Sequence, residues 1–178
     1  MGVNPFGEFG VLGHGTGTFI RKDGLVLTCA HVVEGTTLAE LTLIGDKKDT
    51  KVLAYVVGRD VEHDIALLRV HKPLKGIRVV KLGTLPKRGT SVLSIGFPGP
   101  FVHYTTLGVI SGHRNDSTYT DAVLAPGNSG GPIFDRDSRL VGIAQGMTGY
   151  IPLPVYQGFS VIVPIDSIKK LVEKYREF

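Results

Sequence analysis

Between residues 17 and 163 the chain is a succession of short runs rich in β-branched residues, cut by glycines, prolines and Asp-Gly pairs. This pattern constrains the fold more than any other feature. The runs at 17–20, 25–28, 38–44, 51–57, 65–70 and 78–82 read as strands. So do those at 91–96, 105–111, 118–124, 132–135, 140–145 and 158–163. Asp23-Gly24, between the first two runs, is a hairpin signal. Glycine supplies 24 of 178 residues, the turn chemistry that many short strands require. The expected class is therefore all-β, as sandwich or barrels.

One segment breaks the period. After Pro164, apolar residues fall at Ile165, Ile168, Leu171, Val172 and Tyr175. Offsets of three and four predict an amphipathic helix over about 166–177, with Asp166 as its N-cap. The stretch 81–89, holding Gly83, Pro86 and Gly89, reads as a connector between two halves. The reading is one domain over 1–178, with an N-terminal barrel at about 10–82 and a C-terminal barrel at about 90–164. A chain of this length buries enough surface for a core without disulfide staples. Its single cysteine, Cys29, excludes an internal disulfide in any case.

Three short stretches carry possible chemistry. Pro126-Gly127-Asn128-Ser129-Gly130-Gly131-Pro132 sets a serine among glycines, which can turn amide N–H groups toward a developing oxyanion. A glycine-rich hairpin turn is the other reading. Thr28-Cys29-Ala30-His31-Val32-Val33 ends an apolar strand on a histidine, a general base near neutral pH or a structural strand-end residue. Asp64 stands directly before the apolar run 65–68, as a turn residue or as the group that orients a histidine. Together they give the order His31, Asp64, Ser129, with Ser129 beyond the connector and the other two before it. Other triad orders belong to α/β folds.

On these residues the chain resembles the chymotrypsin-fold serine peptidases, most closely the protease domain of the HtrA/Deg group. Gly15-Thr16-Gly17-Thr18-Phe19-Ile20, Thr106-Leu107-Gly108-Val109-Ile110-Ser111 and Thr120-Asp121-Ala122 also match, as does Gly158-Phe159-Ser160-Val161-Ile162-Val163-Pro164. The resemblance implies two six-stranded antiparallel β-barrels with a C-terminal helix, and hydrolysis of unfolded or flexible protein substrates, in protein quality control, without a cofactor or metal. It assigns His31 as base, Asp64 as orienter, Ser129 as nucleophile, and the N–H groups of Gly127 and Ser129 as oxyanion hole. It places Val123, six residues before the nucleophile, at the base of the primary specificity pocket, with walls from Gln145, Gly146 and Met147 and from Gly158, Phe159 and Ser160. An apolar pocket there implies small or medium aliphatic residues before the scissile bond, with loose selectivity. A non-catalytic or latent peptide-binding, chaperone-like module on the same fold is the alternative. No residues follow the helix for the PDZ domain that group carries, and the connection near 45–50 is short where some relatives have a long regulatory loop.

The remaining features are expectations of lesser weight. Residues 1–89 hold 13 Lys/Arg and 9 Asp/Glu, and residues 90–178 hold 7 of each, so the net +4 lies in the first half. Arg69, Lys72, Lys75, Arg78, Lys81, Lys87 and Arg88 read as a dock for an anionic partner or as solvated loops and a guarded strand edge. No aromatics interleave with them, which disfavours a nucleic-acid platform. His14, His63, His71, His103 and His113 lack metal-ligand spacing. The 13–17 glycine run lacks the Lys-Ser/Thr of a phosphate loop. Cys29 reads as a small buried hydrophobe. Phe6 and Phe9 lie outside any pairable strand, as an arm that would dock on its own barrel or join copies into a homotrimer. No run is long enough to span a membrane. Met1 to Gly10 shows no signal peptide and no myristoylation motif, so the default expectation is a cytoplasmic chain.

Overall fold

In the computed structural model the described residues are 2–3, 9–10, 13–44, 49–72, 74–99, 103–148 and 159–176. Phe6 and Gly158 lie outside them. The chain folds as two β halves and one helix, the chymotrypsin-like arrangement the resemblance implied.

The N-terminal half holds β3 (Thr18–Phe19), β4 (Leu25–Thr28), β5 (Leu38–Leu43), β6 (Thr50–Asp60) and β7 (Ile65–Val70). They form a five-stranded sheet in the order β3-β4-β7-β6-β5. Six closed strands were expected; among the described residues β3 and β5 remain open edges. The expected strand at 78–82 accounts for the difference. Only Lys81–Leu82, β8, is paired, and it runs parallel to Arg139–Leu140 in the other half. Val80 meanwhile donates its N–H to Phe19 O at 3.1 Å. The segment is thus shared between the halves and completes neither sheet.

The C-terminal half closes. Its strands are β9 (Ser91–Gly96), β10 (Tyr104–Arg114), β11 (Ser117–Thr120), β12 (Pro132–Phe134), β13 (Arg139–Thr148) and β14 (Phe159–Pro164). The order β12-β9-β10-β11-β14-β13 is closed by β12 pairing with β13, which makes a six-stranded barrel. Near the N-terminus β1 (Gly2–Val3) pairs with β2 (Phe9–Gly10), which corrects the expectation that Phe9 lies outside any strand. Runs of two residues show no alternation that a sequence reading can use.

Helix α1 (Ile165–Lys174) starts where β14 ends, with Pro164 as N-cap at ψ 152° and no side-chain cap. Asp166 therefore sits in the first turn, where its charge suits the helix N-terminus, and does not cap it. Ile165, Ile168 and Leu171 are buried at the predicted spacing. They join Leu25, Leu27, Ile65 and Leu67 from one half and Leu140, Ile143 and Val163 from the other in a single cluster. This shared core welds the halves together, each fully buried Leu or Ile contributing about 1.5–3 kcal/mol. Tyr175 closes over the bulge of β6, where a Cβ on Gly58 would lie 2.8 Å from its ring.

Candidate active site

His31 opens a single 3-10 turn, His31–Val33, directly after β4. The four buried residues of β4 fix where that turn leaves the sheet. Arg59 secures its far end, with Nη2 donating to Val33 O at 2.7 Å and also to Thr36 O. Asp64 arrives from the turn between β6 and β7 with φ 57°, in the left-handed region that Asp tolerates better than most residues. There its carboxylate meets His31 twice. Oδ1 accepts the His31 backbone N–H at 2.9 Å and Oδ2 accepts from Nδ1 at 2.7 Å. A carboxylate only accepts, so Nδ1 carries a proton, and in the neutral ring Nε2 is the nitrogen with the lone pair. Asp64 is mostly covered, whereas the His31 side chain is 48% exposed.

Ser129 lies on the loop between β11 and β12. Pro126 and Gly127 occupy the centre of a turn closed by Asn128 N–H donating to Ala125 O at 2.9 Å. Proline followed by a glycine at φ 102° is the pattern of a type II turn. Gly130 follows at φ 85°, packed so closely that a Cβ would lie 2.2 Å from Thr28 Oγ1. Gly130 N–H donates to Ala144 O and Gly131 N–H to Asn128 O, both at 2.8 Å. The N–H groups of Gly127 and Ser129 have no acceptor among the described residues. The backbone of Gly15 runs between this loop and the His31 turn. A Cβ there would lie 2.6 Å from Val32 Cγ2 and 2.8 Å from Ser129 O.

Ser129 Oγ donates to Gln145 O at 3.1 Å, and no hydrogen bond joins it to the His31 ring among the described residues. Gln145 falls at the register shift between Ala144 and Gly146 in β13, so its carbonyl is turned out of the ladder. Hydrogen bonds of catalytic groups commonly tighten only around a substrate.

A cavity of about 260 Å³ adjoins Ser129, lined by Leu124, Ala125, Pro126, Asn128, Ala144, Gly146 and Met147. Gly146 and Met147, expected as walls of the specificity pocket, line this cavity. Val123, expected at the base, is not in the lining and is 54% exposed. Past the end of β11 the chain keeps alternating, so Ala122 and Leu124 turn inward and Val123 turns out. Leu124, the next residue, lines the cavity instead. Phe159 is also half exposed, edge-on to Tyr119, and Gln145 enters the site through its carbonyl.

Cys29 Sγ, His31 and the Asp64 carboxylate present ligand atoms within 4.8 Å of one another. They make a poor metal set. Cys29 Sγ donates to Ala144 O, and burial followed by the Asp64 charge pushes its thiol up, away from the thiolate that binds metals. Of the basic residues expected as a dock, Lys72, Lys75, Arg78, Lys81, Lys87 and Arg88 are exposed, whereas Arg69 is partly buried and pairs with Asp23 at 2.8 Å.

Residues 15–143 match the family described as the trypsin-like peptidase domain. The chain belongs to the trypsin-like peptidase family. This peptidase domain is 33% identical over 180 residues to the protease Do-like 1, chloroplastic, of Arabidopsis thaliana, covering 93% of the chain and 40% of the relative. It is 36% identical over 162 residues to a probable periplasmic serine endoprotease, DegP-like, of Pseudomonas putida strain GB-1, covering 85% and 32%. The crystal structure of the serine endoprotease from Yersinia pestis superposes with a TM-score of 0.76 at 26% identity, covering 90% of this chain and 56% of that one. The HtrA/Deg resemblance is thereby borne out, and the chain spans 32% to 40% of the length of these curated relatives. The default of a cytoplasmic chain is corrected. The relatives are named for the chloroplast and the periplasm. That default rested on the absence of a leader in the first ten residues, and such an absence carries no information about compartment. Among the described residues no helix is long and apolar enough to cross a membrane.

The sequence reading missed Thr16, Arg59 and Asp121 as residues that shape the site. Asp121 Oδ1 accepts the Val109 N–H at 2.6 Å, which ties the pocket loop to β10. The signal for Gly108 was in the matched motif: a Cβ there would lie 2.4 Å from Ala122 N. Thr16 also lay in a matched stretch, 15–20, but nothing there assigned its hydroxyl a role.

Proposed function

We propose that this domain is a serine endopeptidase acting on unfolded or flexible protein chains outside the cytoplasm. The observation that carries the reading is the doubly bonded His31–Asp64 pair set against a serine flanked by left-handed glycines. Rotation of the Ser129 hydroxyl from Gln145 O toward His31 readies the site. His31 Nε2 takes the Oγ proton as Oγ attacks the scissile carbonyl carbon. The oxyanion is received by the N–H groups of Gly127 and Ser129. As the C–N bond breaks, His31 returns the proton to the leaving amine and an ester remains on Ser129. Water then loses a proton to His31 and attacks the ester; as the C–O bond breaks His31 returns that proton to Ser129 Oγ, which releases the acid and restores the serine.

Leu124, Ala144 and Met147 favour an aliphatic side chain before the cut, and the pocket offers no charge to recruit Lys or Arg. Sites in casein mapped by mass spectrometry should follow Val, Ala, Leu, Ile or Thr; a majority after Lys, Arg or Asp overturns the pocket assignment. The active-site assignment is tested by fluorophosphonate labelling, which should mark the wild type and not Ser129→Ala. A latent, peptide-binding form is the second reading, favoured by the Ser129 hydroxyl bonded away from His31. It is distinguished by peptide binding without labelling or cleavage. Assembly as a homotrimer through the segment that holds Phe6 and Phe9 belongs to the same proposal. Mass photometry of the wild type and a Phe6→Ala/Phe9→Ala variant decides it.

A further inference from the structure

We propose that Thr16 is a positioning residue that holds the oxyanion loop in its receptive form from the opposite half of the molecule. The inference rests on the serine-peptidase reading of Ser129 and names what keeps that site formed. Thr16 is 4% exposed, and each of its hydrogen-bonding groups is engaged, the N–H and the hydroxyl with the opposite half and the carbonyl within its own. Its N–H donates to Ser129 O at 2.8 Å and its carbonyl accepts from Thr28 Oγ1 at 2.8 Å. Its hydroxyl donates to Gly127 O at 2.7 Å and accepts the Phe97 N–H at 3.0 Å.

The direction of that hydroxyl is forced. An N–H cannot accept, so the Phe97 amide claims an oxygen lone pair, and the single hydroxyl proton is left to Gly127 O. Phe97 is itself held, since its carbonyl accepts from His14 Nε2 at 2.9 Å and its ring stacks on His103 with centroids 5.1 Å apart. Gly127 O belongs to the peptide that lies between the two proposed oxyanion donors, the N–H groups of Gly127 and Ser129. Glycine at φ 102° has no side chain to resist rotation of that peptide. The Asn128 N–H bond to Ala125 O holds one side of that peptide, and the Thr16 hydroxyl holds its carbonyl from the other half. A turn of the peptide would orphan a buried hydroxyl proton and a carbonyl together, which proteins rarely permit. The nucleophile loop is therefore kept in shape by a residue 111 positions earlier in the chain.

Thr16→Val keeps the shape and removes the hydroxyl. It should lower kcat on a short chromogenic peptide by about 10- to 100-fold while KM moves less than about threefold, because the loss falls on the transition state. Thr16→Ser should return kcat to within about threefold of wild type. In amide hydrogen exchange read by NMR, Phe97 and Asn128 should exchange at least about tenfold faster in the valine variant and be unchanged in the serine variant. A valine variant with kcat within twofold of wild type overturns the proposal. So does a serine variant as impaired as valine, which would leave packing as the whole effect, and so does unchanged exchange. If the valine variant does not fold, Thr16→Ala, smaller and equally without a hydroxyl, carries the same expectations. Failure of the parent reading looks different. Ser129→Ala would then cleave like wild type, whereas the exchange measurement needs no turnover and judges Thr16 alone.

Discussion

Two His–Asp pairs in the N-terminal half have nearly the same geometry. In the His31–Asp64 pair, Nδ1 lies 2.7 Å from Oδ2 and the histidine N–H donates to Oδ1 at 2.9 Å. In the His63–Asp60 pair the corresponding distances are 2.8 and 3.1 Å. The pairs differ in what they join. His63 and Asp60 stand three residues apart within the β6–β7 turn, and both are largely covered. His31 and Asp64 come from separate elements, and the His31 side chain is half exposed. The local pair locks the turn that presents Asp64; the long-range pair is the one proposed to face a nucleophile, Ser129. A carboxylate on a histidine is thus a fastening that acquires chemistry only from what the other ring nitrogen faces.

The largest test removes that facing partner. Ser129→Ala and His31→Ala should each lower kcat by about 10⁵- to 10⁶-fold, and the double variant should fall no further, because the groups act as a unit. Additive losses in casein or peptide hydrolysis would break the unit. Asp64→Asn should cost about 10⁴-fold by freeing the histidine tautomer. Asp60→Asn, the same change in the other pair, should leave kcat/KM within about threefold. Equal losses at the two aspartates, with folding intact, would erase the distinction between the pairs.

The smaller effects sharpen it. Asp60→Asn should cost about 1 kcal/mol of stability, a part-exposed charged hydrogen bond, and lower Tm by about 2–4 °C. Its pH dependence follows from the carboxylate. Burial opposes ionisation of Asp60, but the His63 backbone N–H, the His63 ring and the Glu62 N–H outweigh it and hold the pKa below the ordinary 3.8. A depressed folded pKa gives stability that is full above 3.8 and is lost as pH falls through the folded value. The gap between wild type and Asp60→Asn in denaturant melts should therefore be complete at neutral pH and shrink below that value. A gap that widens on acidification overturns this account of Asp60.

Most strands were legible because alternation and turn residues are local, and His31, Asp64 and Ser129 stood out because each sits in a distinctive short context. What escaped depends on contacts remote in sequence. Residues 78–82 look like a strand, but whether they complete a sheet depends on Phe19 and Arg139, and they are divided between the two. Val123 follows a family count correctly, yet its direction is set where β11 stops. Asp166 has the chemistry of a cap, but β14 runs straight into the helix and moves the boundary to Pro164. Thr16 gave no local sign that its hydroxyl would meet Gly127.

The left-handed backbone at Asp64 limits how this scaffold can lose its chemistry and survive. At φ 57° a β-branched or bulky residue is strained, and among uncharged replacements asparagine fits with the least disturbance. Asparagine can still accept the His31 N–H, so the turn and the sheet behind it would persist while proton transfer failed. Descendants that drift into silent binding proteins have an open mutational door at this position, a single-base change from an aspartate codon, and it leaves the fold untouched. A relative with Asn in this place is the form in which lost catalysis should first be looked for.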